Sequence, residues 1–153
     1  MSAWIEGIYV ASTAGEPMKS VSRATLVAGS GIRGDRNYRD TPLPHDEQIT
    51  LIAAEEIERF KRETGLDIAQ GDSRRNVVTR GVDLSTLVGR QFRVGATTLA
   101  GVELCEPCAT LGKRLATSAV SAATVVATFA HRAGLRARIT VSGSIAPGDP
   151  IEV

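Results

Sequence analysis

Cysteine and histidine are both scarce in this sequence, two of each in 153 residues. Two cysteines cannot make the disulfide framework of a small secreted scaffold, and they favour a reducing compartment. With His45 and His131 they give four possible ligands, but their spacing follows no zinc-finger pattern, so a zinc site built by the chain alone is not expected. An excess of one charge is also missing. Eighteen Lys and Arg stand against 17 Asp and Glu, a formal charge of +1. No global field then favours nucleic acid or a membrane surface, and any anion site must be local. Long apolar runs are lacking too. The longest weakly polar one, "LATSAVSAATVVATFA", is broken by Ser and Thr and is too short to span a bilayer securely. The start, "MSAWIEGIYVAS", has no basic stretch followed by a long apolar one, which argues against a signal peptide. Repeats, low-complexity tracts and linkers are not seen. The expectation is one cytoplasmic domain over residues 1–153, a monomer or small homo-oligomer with no nucleic-acid or membrane partner.

What is present is a typical globular mixture, 42% hydrophobic and 23% charged, long enough to bury a core. Short β-favouring runs recur: "AWIEGIYVAS", "SRATLVA", "EQITLI", "NVVT", "QFRVGATTLAGVEL", "LRARITVSG" and "DPIEV". "RARITV" alternates polar and apolar residues as a half-buried strand does, and Gly95-Ala96 divides two runs as a hairpin turn. Two segments read as helix. "AAEEIERFKRETG" puts Ile57 and Phe60 on one face, with Glu55–Arg59 and Glu58–Arg62 at i,i+4 and Gly65 as a stop. "TSAVSAATVVATFAHRAG" offers a Ser/Thr cap, an Ala-rich interior and Gly134 as its stop. Many short strands with inserted helices predict a mainly β, α+β fold, a barrel or sandwich with two or three helices.

Four stretches carry more chemistry than a core requires. In "EPMKSVS", Pro17 marks a loop in which Lys19 and Ser20 offer an ammonium and a hydroxyl side by side. In "GSGIRGDRNYRD" three glycines make a flexible turn among Arg33, Arg36 and Arg39, forked donors suited to phosphate or carboxylate. The letters match G-x-G-x-x-G, but the stretch leads into a loop rather than a helix, and no P-loop is present. In "QGDSRRNVVTRG", Arg74 and Arg75 precede a strand, so only one of them is expected to face a given site, and Asn76 adds an amide. The fourth, "GVELCEPCATLGKR", holds Cys105 and Cys108. As a C-x-x-C it is a redox pair, half a metal site, one reactive thiolate, or two buried small residues. A thioredoxin-like pair opens a helix within a βαβ unit, whereas these surroundings read as β.

Taken together, the stretches resemble the MOSC domain family, the molybdenum cofactor sulfurase C-terminal domain, in its short stand-alone bacterial form. The resemblance lies in the early "KS", "GIRGDR", "QITLI" followed by a helix, "RRNVVTRGVDLSTLVGRQFRVG", "LCEPC", "HRAGLRARI" and "GSIAPGDPI", in that order over nearly the whole chain. It implies a closed or partly open β-barrel that binds a molybdenum-pterin cofactor (Mo-molybdopterin). It also implies one working thiol, preceded by Pro, which by position is Cys108 and would ligate the metal. By the same resemblance, cofactor contacts fall on Lys19, Ser20, Arg36, Arg74 and Asn76, with Arg75 at a position of more variable role. The chemistry agrees: a phosphate of about two negative charges needs a local basic pocket, Arg forks bind it bidentately, and a soft thiolate suits a metal already bound by sulfur. Asn37 departs from the family, standing where many relatives have His. The chain is too short for the pyridoxal-phosphate domain of the sulfurases and has too few cysteines for an iron–sulfur cluster. The activity implied is reduction of small N-hydroxylated substrates with electrons from a separate reductase. The alternative is a sulfur-carrier or cofactor-delivery module, with a Cys108 persulfide and a separate sulfur-donor protein. A dithiol redox protein would need both cysteines.

Overall fold

A computed structural model describes residues 2–153. In chain order the elements are β1 (Trp4–Val10), β2 (Lys19–Ser20), β3 (Ala24–Val27), β4 (Gly31–Ile32), β5 (Ile49–Ala53), α1 (Ala54–Thr64), β6 (Val77–Arg80), β7 (Gln91–Val94), β8 (Thr97–Leu104), α2 (Ala109–Leu115), α3 (Ala122–Phe129), β9 (Leu135–Val141), β10 (Gly143–Ile145) and β11 (Ile151–Glu152). Three short 3-10 turns, His45–Glu47, Gln70–Ser73 and Leu84–Leu87, punctuate the loops. The fold is thus mainly sheet with three helices.

Eight strands form one sheet in the order β11-β7-β8-β9-β5-β6-β1-β2, and β10-β3-β4 form a second. The pair β5–β6 is parallel, with Leu51 opposite Val77, because α1 carries the chain back between them; a parallel pair requires such a crossover. These two strands are buried on both faces, and their residues divide between two cores. Leu51 and Val77 enter the core of the strands, whereas Ile52 and Val78 enter the core beneath the helices. This explains the adjacent apolar pairs Leu51-Ile52 and Val77-Val78. By contrast, β9 alternates buried and half-buried residues, as its sequence predicts, and Gly95-Ala96 does turn β7 into β8.

A closed barrel is not found among the described residues. The strand ladder ends at β11 on one side and at β2 on the other. What joins the margins is a short seam: an isolated bridge between Trp4 and Pro150, with bonds from Ile5 N to Asp149 O and from Ile151 N to Ala3 O, each 2.9 Å. A two-residue β11 is too short to continue that pairing as a ladder.

The helices depart from expectation in detail. α1 buries Ile57 and Phe60 as predicted, and Phe60 stacks on Phe129 of α3 at 4.1 Å between ring centroids. Its ion pairs, however, are different. Arg59 bonds Glu56 and Glu63, while Glu58 reaches across to Arg80 of β6. A tertiary neighbour outcompetes the weak surface pair for Glu58, whereas Arg59 keeps partners along its own helix. The second predicted helix begins later and ends sooner, at Ala122–Phe129, with Ser121 capping the Thr124 N–H. A further helix, α2, follows Cys108 directly.

Candidate functional site

The C-x-x-C stretch begins where β8 ends. The backbone N–H of Cys105 donates to Gly134 O at 2.7 Å, which turns its side chain into the protein, where it is 1% exposed. Pro107 follows, and Cys108 takes the cap position of α2 rather than the end of a strand. Leu111 and Gly112, one turn on, are buried. A Cβ on Gly112 would stand 2.9 Å from Ala122 O, so this glycine lets α2 lie close on α3. The two thiols are therefore unlike. Both are free, Cys105 buried and Cys108 exposed. The strand-then-helix setting resembles that of dithiol proteins, yet β8 and β9 flank the helices as an antiparallel pair, so no parallel βαβ unit surrounds it.

Electrostatics widen the difference. The backbone N–H of Leu111 pulls the Cys108 thiol below the usual cysteine range, opposed by partial burial and helped by the Thr110 N–H and the charge of Arg75. No complete side-chain cap bond is closed, so these N–H groups act at longer range. Burial pushes the Cys105 thiol up, against the pull of Arg75. Of the two thiols, Cys108 is the one that ionises more readily.

Arg75 links the two sulfurs to the rest of the site. Its Nε donates to Ala133 O at 2.8 Å, and its Nη2 reaches Glu106 O at 3.5 Å. Burial, ahead of the opposing charges, holds its pKa down. Glu106, between the cysteines, is gripped a second time. His131 donates its backbone N–H to Oε1 at 2.7 Å and sets Nδ1 2.8 Å from Oε2. The backbone bond from His131 is what lowers the Glu106 pKa most. His131 lies beyond α3 in a left-handed turn, φ 62°, and through Glu106 it anchors the cysteine loop.

Arg74 leaves in the other direction. It closes the 3-10 turn Gln70–Ser73 with φ 63°, a left-handed conformation unusual for a residue with a side chain. This turn, rather than strand alternation, sends Arg74 and Arg75 to different places. Arg74 donates to Glu16 O at 2.6 Å. Arg36 donates to Met18 Sδ at 3.2 Å and to Asp35 at 3.1 Å. Asp35 is buried and also accepts from the Ala11 and Asn37 N–H groups, which fixes the loop from which Arg36 projects. Arg33 is exposed, and Arg39 folds back onto the carbonyls of Arg36 and Tyr38.

Lys19 and Ser20 are not a side-by-side pair. They are consecutive residues of β2, opposite Val10 and Tyr9, so their side chains leave opposite faces and one alone can face a given ligand. Both are exposed. Asn76 is 4% exposed, and its amide is already occupied. Oδ1 accepts from Thr50 N and Oγ1 at 3.2 and 3.1 Å, and Nδ2 donates to Tyr9 O at 3.1 Å. As placed, it ties β1, β5 and β6 together.

The family model for the MOSC domain matches residues 29–152. This chain belongs to the MOSC domain family. Arg36, Arg74, Arg75, Asn76 and Cys108 fall inside the matched MOSC span, while Lys19 and Ser20 precede it. Among solved structures, the YuaD protein of Bacillus subtilis superposes with a TM-score of 0.86 at 23% identity, over 99% of this chain and 95% of that one. YiiM of Geobacillus stearothermophilus superposes at 0.74 with 16% identity, over 98% and 74%. YiiM of Escherichia coli superposes at 0.70 with 19% identity, over 99% and 69%. At these identities the likeness is one of fold. No curated protein matches the chain.

Within this MOSC chain the sequence reading overlooked two features. One is α2, whose "ATLGKRL" has good helix formers around a Gly that reads as a break. The other is Arg114 near its end, which donates to Gly15 O at 3.2 Å. Among the described residues no three His, Cys, Asp or Glu cluster to hold a metal by themselves, and no helix is long and apolar enough to cross a membrane.

Proposed function

We propose that this MOSC protein binds a molybdenum-pterin cofactor and acts as the molybdenum-bearing component of an oxidoreductase that reduces small N-hydroxylated compounds. The observation that carries this reading is the pairing of an exposed, acid-shifted Cys108 thiol with an arginine group held against little negative charge. Arg36 has Asp35; Arg74, Arg75 and Arg114 bond to backbone carbonyls instead. Such a donor set fits a soft metal that arrives with its own sulfur ligands and a phosphate. Cys108 would supply the protein ligand, Arg36 and Arg74 the phosphate contacts, with Lys19 or Ser20 at the rim. Arg75 holds a positive charge beside the sulfur and favours its ionised form. Asn76, with its amide committed, supports the cofactor only by fixing the strands beneath Arg74. When bound, the group supplies the two-electron exchange by which an N–OH becomes N–H and water, the electrons coming from a separate reductase.

Molybdenum analysis of protein made in a cofactor-competent host tests the reading. The wild type is expected to retain metal, and Cys108→Ser to lose at least about nine-tenths of it, since a hydroxyl is a poor soft-metal ligand. Wild-type protein with no more molybdenum than Cys108→Ser overturns the proposal. The exposed, acid-shifted thiol also suits a second reading, a sulfur carrier. An intact-mass gain of one sulfur atom on Cys108, removed by reductant, would favour that one.

A further inference from the structure

The loop that leads into Cys108 is tied at each residue to the turn after α3. Cys105 N donates to Gly134 O at 2.7 Å. Arg75 joins Ala133 O, at 2.8 Å, to Glu106 O, at 3.5 Å. The Glu106 carboxylate takes the His131 N–H on Oε1 and faces the imidazole Nδ1 with Oε2. The turn is in its own right tied to α1, through Arg59 Nη2 to Thr128 O at 2.8 Å and the stack of Phe129 on Phe60. Beside it opens a groove of about 610 Å3, lined by Leu104, His131, Arg132 and Gly134 among others. Nothing packs against the turn from that side, so hydrogen bonds largely set where Cys105, Glu106 and Pro107 stand.

Two observations set His131 apart from an ordinary staple of the fold. Its backbone is left-handed, φ 62°, a conformation that glycine adopts freely and histidine only at a cost. Its side chain is 81% exposed and that of Glu106 46%, so the imidazole buries little, and an exposed ion pair returns little stability. A histidine at an unfavourable φ, in a pair of small stabilising value, points to a role other than stability. What the pair grips is the segment between the two thiols.

We propose that Glu106 and His131 are a positioning pair for Cys108: the left-handed turn holds the carboxylate, the carboxylate holds the loop, and the loop aims the sulfur from the head of α2. Both residues act through the loop rather than on the reacting atoms. The inference deepens the cofactor reading and rests on it for what the aimed sulfur would hold.

Alkylation of Cys108 by iodoacetamide in the apo full-length protein, followed by intact mass across pH, tests it. Glu106→Ala is expected to slow the reaction at neutral pH about threefold or more, its pH midpoint moving up by about 0.5. The reason is that the freed sulfur leaves the N–H groups and the Arg75 charge that favour its ionised form. A carboxylate acting by charge alone would hinder ionisation, and its deletion would speed alkylation, so the sign separates position from charge. Glu106→Gln, which still accepts the His131 N–H, is expected to restore most of the wild-type rate. His131→Gly keeps the left-handed backbone and its N–H but not the imidazole. It is expected to slow alkylation by a smaller factor without lowering the melting temperature. Glu106→Ala that reacts as fast as wild type, or faster, overturns the proposal. Should that variant not fold, a wild-type rate in His131→Gly overturns it equally. Molybdenum retention separates the two readings. Slowed variants beside a wild type that holds no molybdenum would sink the cofactor reading alone, whereas unslowed variants beside a molybdenum-bearing wild type would sink the positioning pair alone.

Discussion

Cys105 and Cys108 lie three positions apart and differ in almost every property that governs a thiol. One sits where β8 hands the chain to Gly134, sealed from water; the other stands at the head of α2 with N–H groups and Arg75 nearby. Iodoacetamide at neutral pH is therefore expected to label Cys108 and to leave Cys105 unlabelled until denaturant is added, as peptide mass mapping would show. Because the Cys108 pKa is lowered, its alkylation rate should rise with pH earlier than that of a free thiol, whose pKa is ~8.5. Removing the positive charge in Arg75→Gln should move that rise to higher pH. Equal labelling of both cysteines in the native protein would contradict the assignment. The proline before Cys108 and the order of the motifs were legible in the sequence. The burial of one thiol and the exposure of the other were not, because both depend on how the turn Ala130–Gly134 packs against the loop.

At the level of elements, the decisive ties run between strands that are distant in sequence. Asn76 satisfies groups on Thr50 and Tyr9 and so binds three strands at the level of the arginines. Asn76→Ala leaves those half-buried groups unpaired, at about 1 kcal/mol each, and is expected to lower the unfolding free energy of the apo protein by about 1–3 kcal/mol in urea titrations. Unchanged apo stability with weakened cofactor retention would instead make Asn76 a direct contact. Periodicity revealed α1, β9 and the β7–β8 hairpin, since each has a strong local pattern. It revealed neither β2 nor β4, which are two residues long and exist only because a partner strand lies alongside. It missed α2, where a glycine that weakens the local helix signal is the residue that admits α3.

Across the whole molecule, the two chain ends meet. Residues 3–5 and 148–151 exchange backbone bonds along the seam, Ile151 is 5% exposed within the strand core, and Gly95 N donates to Pro150 O at 2.9 Å. Deleting residues 149–153 removes these bonds together with a buried Ile, worth about 2–5 kcal/mol even as a truncation to Ala. The shortened chain is expected to melt well below the full one in differential scanning calorimetry, and an unchanged melting temperature would show that the open sheet needs no seam. The near-zero net charge belongs to this scale as well. With charges balanced overall, affinity for an anion would have to come from local crowding, and Arg36, Arg74 and Arg114 gather against residues 15–18 on one side.

The sequence by itself determined the family, the mainly β class, the helix after β5 and the candidacy of Cys108. These depend on residue order and on local periodicity, which the chain carries without folding. Only the tertiary structure decided which thiol faces water, that Arg74 and Arg75 diverge, that Asn76 is committed to the strands, that Arg114 joins Arg36 and Arg74 against residues 15–18, and that the sheet stays open except at its seam. Each of these is a relation between segments far apart in the chain. Burial, hydrogen-bond partnership and like-charge crowding come into being only when packing brings such segments within a few ångströms.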